Sequence, residues 1–221
     1  MTTNTRHDDR FDRFHRTTGL AVAGCLAFAL ALPAPAASPW VLLEELRNGL
    51  QKAGPTTGRF VQTYIPAGFS TGDEESGHLS IWLPDCLRWN YQEPSGKNFL
   101  VCQGEVYFWN EDEPGGRHYR IDPKEEPGLD LLLVAVSTLR ERYVASSEEL
   151  DDGTHLISLA LPASEDGSFH AKIRVEPTKQ RVLGLEYTDA EGNLTRFRIY
   201  DYQPLRHTAL FQPPNIEWTE E

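Results

Sequence analysis

The feature that most constrains this chain is a two-residue alternation of apolar and polar side chains that recurs from Leu79 onward. Its cleanest run is Phe169 to Glu176, where Phe169, Ala171, Ile173 and Val175 form one face and His170, Lys172, Arg174 and Glu176 the other. In an extended chain successive side chains point to opposite sides, so period two predicts a strand with one face buried and one in water. Leu79, Ile81 and Leu83 alternate in the same way with Ser80 and Trp82, and Leu87, Trp89 and Tyr91 with Arg88, Asn90 and Gln92. Turn signals separate the runs at Pro94-Ser95-Gly96, Gln103-Gly104, Asp151-Asp152-Gly153, Glu165-Asp166-Gly167 and Asp189-Ala190-Glu191-Gly192-Asn193. Connections that short imply hairpins, and the topology expected is an antiparallel meander.

Two segments depart from the alternation. Trp40, Leu42, Leu43, Leu46 and Leu50 recur at helical spacing, which predicts one amphipathic helix ending near Gly54-Pro55. Between Pro127 and Val136, Leu129, Leu131, Leu132, Leu133, Val134 and Val136 are apolar on nearly every side. That run predicts a short helix, and a helix apolar all round must be covered all round. A sheet curved around both helices supplies the cover and creates an apolar interior suited to a flexible apolar ligand.

The N-terminal segment carries Arg6, Arg10, Arg13 and Arg16, then an uncharged apolar run from Leu20 to Leu32, then Ala34-Pro35-Ala36. The run is short for a bilayer span, and the small residues suit cleavage before Ala37, so residues 1–36 read as a signal peptide and 37–221 as a single domain. Val22-Ala23-Gly24-Cys25 offers a competing lipobox, which would lipidate Cys25, but the apolar stretch continues past that cysteine. The chain has a net charge of −12; without residues 1–36, 17 basic and 30 acidic side chains remain, a net of −13. Such a surface repels phosphate, which argues against nucleic acid and for a monomer that does not linger on anionic membranes.

The seven histidines fall in no metal-ligand spacing, and no nucleophile elbow, phosphate loop or dinucleotide fingerprint is present. The sequence therefore predicts no enzyme, no metal and no cofactor. The mature chain's two cysteines are informative. Cys86 begins one strand and Cys102 ends the next, and a hairpin turning about Pro94 sets them directly opposite, which predicts a cross-strand disulfide in an oxidising compartment.

Gly77-His78-Leu79-Ser80-Ile81-Trp82-Leu83-Pro84-Asp85-Cys86-Leu87-Arg88-Trp89-Asn90-Tyr91 resembles the core signature of the outer-membrane lipoprotein carrier (LolA) family. Gly58-Arg59-Phe60-Val61-Gln62-Thr63 resembles the family's first strand, and Gly192-Asn193-Leu194-Thr195 and Phe211-Gln212-Pro213-Pro214 its last hairpin and terminal segment. The resemblance implies a mainly β (α+β) fold: a half-open antiparallel β-barrel enclosing an apolar cavity, with short helices as a lid. It also implies a periplasmic carrier of lipoprotein acyl chains, loaded by an inner-membrane ABC transporter and emptied at an outer-membrane receptor. The residues expected to line the cavity are Phe60, Leu79, Ile81, Leu87, Trp89 and Tyr91 from the sheet, with Leu131, Leu132 and Leu133 from the lid. One position departs from the family pattern: Leu83 stands before Pro84 where members often carry an Arg proposed to hold the lid closed. A carrier of another lipid or glycolipid, a lipid-sensing regulatory adaptor and a lipid hydrolase are the alternatives. The adaptor lacks the extra domain usual for that role, and the hydrolase lacks a recognisable nucleophile and base.

Overall fold

The computed structural model describes residues 37–94, 96–121, 131–162 and 169–220. The segment expected to be a signal peptide and the turn Glu165-Asp166-Gly167 lie outside the described residues. Helix α1 (Pro39–Ala53) starts with Pro39 in its first turn and stops at Gly54, whose φ of 75° favours glycine. Its apolar stripe, Leu42, Leu43, Leu46 and Leu50, is buried.

Among the described residues twelve strands follow: β1 (Thr56–Ile65), β2 (Asp73–Trp82), β3 (Cys86–Glu93), β4 (Lys97–Cys102), β5 (Glu105–Asn110), β6 (Gly116–Arg120), β7 (Val144–Glu149), β8 (His155–Ala160), β9 (His170–Glu176), β10 (Arg181–Thr188), β11 (Leu194–Pro204) and β12 (Trp218–Glu220). They form one sheet in the order β12-β6-β5-β4-β3-β2-β1-β11-β10-β9-β8-β7. Two meanders, β1 to β6 and β7 to β11, are thus joined where β1 pairs with β11, and the sheet stays open between β12 and β7. The turn chemistry matches this path. Gln103 and Gly104 both have positive φ, 54° and 85°, as a two-residue loop matching the right-handed strand twist requires.

The β3–β4 register is the one expected from a turn about Pro94, with Leu87 opposite Val101 and Trp89 opposite Phe99. Cys86 faces Cys102 and the two are joined by a disulfide, with Cα atoms 4.3 Å apart. Thiol labelling of the denatured, unreduced protein is therefore expected to modify neither Cys86 nor Cys102. Modification of both would mean that the pair is not closed in solution.

The alternating runs bury the residues they should. Phe169, Ala171, Ile173 and Val175 are all buried while His170 and Lys172 are exposed. Three expectations need correction. The helix expected over 127–136 is displaced: residues 127–130 lie outside the described residues, 131–134 form turns, and α2 runs Val136–Arg142. An apolar run has the same hydrophobic pattern whether it is helix or buried turn, whereas Arg140 and Arg142 suit the negative end of the helix that follows.

The sheet is not wholly antiparallel, because β12 runs parallel to β6. Nor does the polar face of β2 and β3 simply meet water. A segment from Leu205 to Trp218 crosses it and builds a second apolar cluster of Cys86, Leu100, Trp109 and Phe211, with Trp82, Leu210 and Trp218 packed against it. Trp82 lies 5.6 Å from the Phe211 ring, and Arg88 donates to the Leu210 carbonyl at 2.9 Å and to Asn98 Oδ1 at 2.7 Å. Burial lowers the Arg88 pKa, partly offset by Glu111, so these hydrogen bonds replace the water that the guanidinium has lost.

Candidate functional site: the inner face and its cover

Every sheet residue proposed from the sequence points to the inner face. Phe60, Leu79, Ile81 and Leu87 are at most 1% exposed, and Trp89 and Tyr91 are buried beside them. The register explains the grouping. Phe60 on β1 is opposite Gly77 on β2, which is opposite Tyr91 on β3; one step along, Leu79 faces Trp89, and Ile81 faces Leu87. With no side chain at Gly77, the Phe60 and Tyr91 rings meet edge to face across it at 4.9 Å. Phe197 on β11 adds a third ring, 5.8 Å from Phe60.

The cover over this face consists of α1, residues 131–134 and α2. Leu131 and Leu132 are buried in the same cluster as the sheet residues, with Val136 and Leu139 of α2, while Leu133 is half-buried against it. The nine residues proposed from the sequence therefore share one apolar cluster.

Sequence reasoning missed what fastens the cover. Arg47 of α1 donates one guanidinium nitrogen to the Leu132 carbonyl and another to the Leu133 carbonyl at 3.1 Å. Burial lowers the Arg47 pKa, but a guanidinium stays charged under any ordinary condition. Leu83, at the position where the family resemblance led one to look for a positive charge, is itself buried in the apolar cluster. The donor to this segment comes from the helix and not from the strand end. In the sequence Arg47 looks like one more polar residue on an amphipathic helix, and nothing marks it.

One edge of the inner face is polar. Tyr91 donates its hydroxyl to Gln62 Oε1, and Lys97 bonds both carboxylate oxygens of Glu75 at 2.7 and 2.6 Å. The Lys97 ammonium also lies 4.5 Å from the centre of the Tyr91 ring. Burial, and then the Glu75 charge, push the Tyr91 phenol far above its usual range, so it is a neutral donor at any physiological pH. Among the described residues, no three metal-ligating side chains come together, and no helix is long and apolar enough to cross a membrane.

A family model described as outer membrane lipoprotein carrier protein LolA matches residues 51–213, from the end of α1 to the terminal prolines. The chain belongs to the LolA family. That family is named for a carrier and is not one of enzymes. No curated protein sequence matches the chain significantly. Among solved structures, an uncharacterized conserved protein from Thermus thermophilus is similar at 12% identity, covering 82% of this chain and 98% of that one, with a TM-score of 0.49. A LolA superfamily protein from Nitrosomonas europaea is similar at 10% identity, over 80% and 99% of the two chains, with a TM-score of 0.43. The Pseudomonas aeruginosa MucA/MucB complex contains a chain similar at 12% identity, over 80% of this chain and 62% of that one, also with a TM-score of 0.43.

Proposed function

We propose that this LolA-family chain is a periplasmic carrier that takes the acyl chains of lipoproteins between its inner sheet face and the cover, and moves them from the inner to the outer membrane. The observation that carries the reading is the way the cover is held. Between α1 and α2, this apolar sheet face is covered by a short turn whose backbone is held by one arginine, not by a sheet ladder. Lifting such a segment costs two hydrogen bonds and the burial of Leu131 and Leu132, at about 1.5–3 kcal/mol per side chain, whereas an acyl chain of sixteen carbons gains roughly 12 kcal/mol on leaving water, at about 0.8 kcal/mol per methylene. Binding by exchange of one apolar cover for another needs no chemistry, consistent with a family of carriers. Loading by an ABC transporter and unloading at an outer-membrane receptor are part of the proposal, as is removal of residues 1–36 during export.

A second cargo, another lipid or glycolipid, is favoured by one observation: the arginine that fastens the cover sits on α1, and the strand position before Pro84 is Leu83. Different fastening suits different cargo. Mass spectrometry of material extracted from gently purified protein decides between the two. Lipoproteins with diacylated N-termini support the first reading, and a stoichiometric free lipid the second. A protein beginning at Ala37 that carries neither, and takes up no acyl probe, would end both.

A further inference from the structure

The outer face of the second meander carries charge opposite in sign to the chain as a whole. Pairing places Arg174 on β9 opposite Gly184 on β10, Gly184 opposite Arg198 on β11, and Arg198 opposite Val61 on β1. Directly paired residues of antiparallel strands point to the same side, and their sequence neighbours Ile173, Leu185, Phe197 and Phe60 are buried in the core, so this row faces outward. In the next row Lys172 is opposite Glu186, and Glu186 opposite Arg196. On the other side, Arg59 is opposite Tyr200, diagonal to Arg198. Arg198 therefore sits at the centre, with Arg196 two residues away along its strand, Arg59 on the diagonal and Arg174 two strands over.

Glu148 on β7 is exposed in the row of Arg174, two strands beyond it on the side away from Arg198, and the carboxylates nearer Arg198 are already engaged. Glu186 bonds Arg196 at 2.7 Å and lies 3.6 Å from Lys172, and Asp152 bonds Arg174 at 2.5 Å. At the borders, Glu74 accepts from Thr63 and Glu176 pairs with Lys179. The Arg59 guanidinium lies 5.8 Å from the centre of the Tyr200 ring. Arg198 is exposed and has no ion-pair partner among the described residues. At about 4.8 Å per strand, the Arg174 and Arg198 backbones stand roughly 10 Å apart, with only a glycine between them. Arg174 donates Nε to Thr154 Oγ1 at 3.1 Å and Nη2 to Asp152, so its guanidinium is turned toward the β7–β8 loop, and among the described residues the unpaired guanidinium beside Gly184 is that of Arg198.

We propose that this face docks an acidic, extended segment of a partner protein, one carboxylate of which pairs with Arg198 beside Gly184, with Arg59 and Arg196 flanking it. An anionic bilayer is the less suited occupant. It is broad enough to meet the rest of a surface whose net charge is −12, and screening over about 8 Å does not separate the patch from that surface. A segment a few residues wide meets the patch alone. The proposal does not depend on the carrier reading.

Fluorescence anisotropy with a labelled, unstructured glutamate-rich peptide tests it on the purified protein. Saturable binding is expected, weakened about fivefold by Arg198→Ala and about twentyfold by Arg198→Glu, and weakened again in 0.5 M salt, with roughly these sizes set by one exposed ion pair and its reversal. Arg206→Ala, an exposed arginine outside the patch, is expected to change nothing. Thermal unfolding of all three variants checks that the fold is kept. Absence of saturable binding, equal loss from Arg198→Ala and Arg206→Ala, or phosphatidylglycerol vesicles bound as tightly with the same dependence on Arg198, would each overturn the proposal.

Discussion

Leu132→Glu is expected to keep a single cooperative thermal transition, lowered by roughly 10 °C, while lowering uptake of a fluorescent fatty-acyl probe at least tenfold. Leu132 is 5% exposed, so a carboxylate there begins buried against the sheet, at a cost of several kcal/mol. In the middle of the sheet no relief exists, because a side chain cannot leave without breaking ladders on both sides. Residues 131–134 form turns outside the ladder, and their described ties to α1 are the two hydrogen bonds from Arg47. Releasing the two hydrogen bonds costs about 1.5–3 kcal/mol each and turning Leu131 out adds about 2 kcal/mol, a loss confined to this segment, so letting it swing out spares the ladders of the sheet. The fold survives and the cover does not. Calorimetry beside a probe titration reads both. Loss of the cooperative transition would make 131–134 an integral part of the core, and unchanged uptake would mean that the segment does not govern access.

How far the fold was legible follows from which interactions are local. Strands such as Phe169–Glu176 could be read directly because period two and one-sided burial are the same fact seen in sequence and in space. The β3–β4 register was legible through one turn and two cysteines. The segment covering β2 and β3 was not. Its order comes from Phe211 and Trp218 finding partners about a hundred residues earlier, and a three-residue strand such as β12 has no room to show a period. Arg88 illustrates the same limit: on a strand whose outer face is expected to be wet it reads as a solvated charge, and only the Leu210 carbonyl above it makes it a clamp. For the candidate site, the apolar face was legible and its fastening was not, since Arg47 acts on carbonyls of residues 132 and 133, which no side-chain pattern records.

Phe60→Ala is expected to cost stability first. Phe60 is fully buried on β1, the strand that joins the two meanders through its pairings with β2 and β11. Its ring meets Tyr91 at 4.9 Å and Phe197 at 5.8 Å, so removing it opens a void between aromatic groups held by separate strands. A buried Phe→Ala change costs about 3–5 kcal/mol, with up to about 1 kcal/mol more for each lost ring pair. Against a total stability of about 5–15 kcal/mol that is a large share, and for a domain of this size it corresponds to a fall in melting temperature of roughly 10–15 °C. The void also fixes the meaning of the site. If acyl chains lie against this face, saturating probe should restore part of the lost stability, because a ligand bound only by the folded state raises the transition and can fill space the ring has left. Leu42→Ala, on the buried stripe of α1, supplies the comparison, since its void opens on the helix side. A melting temperature lowered by less than about 3 °C would contradict the packing of β1, and equal rescue of both variants by probe would place the ligand away from Phe60.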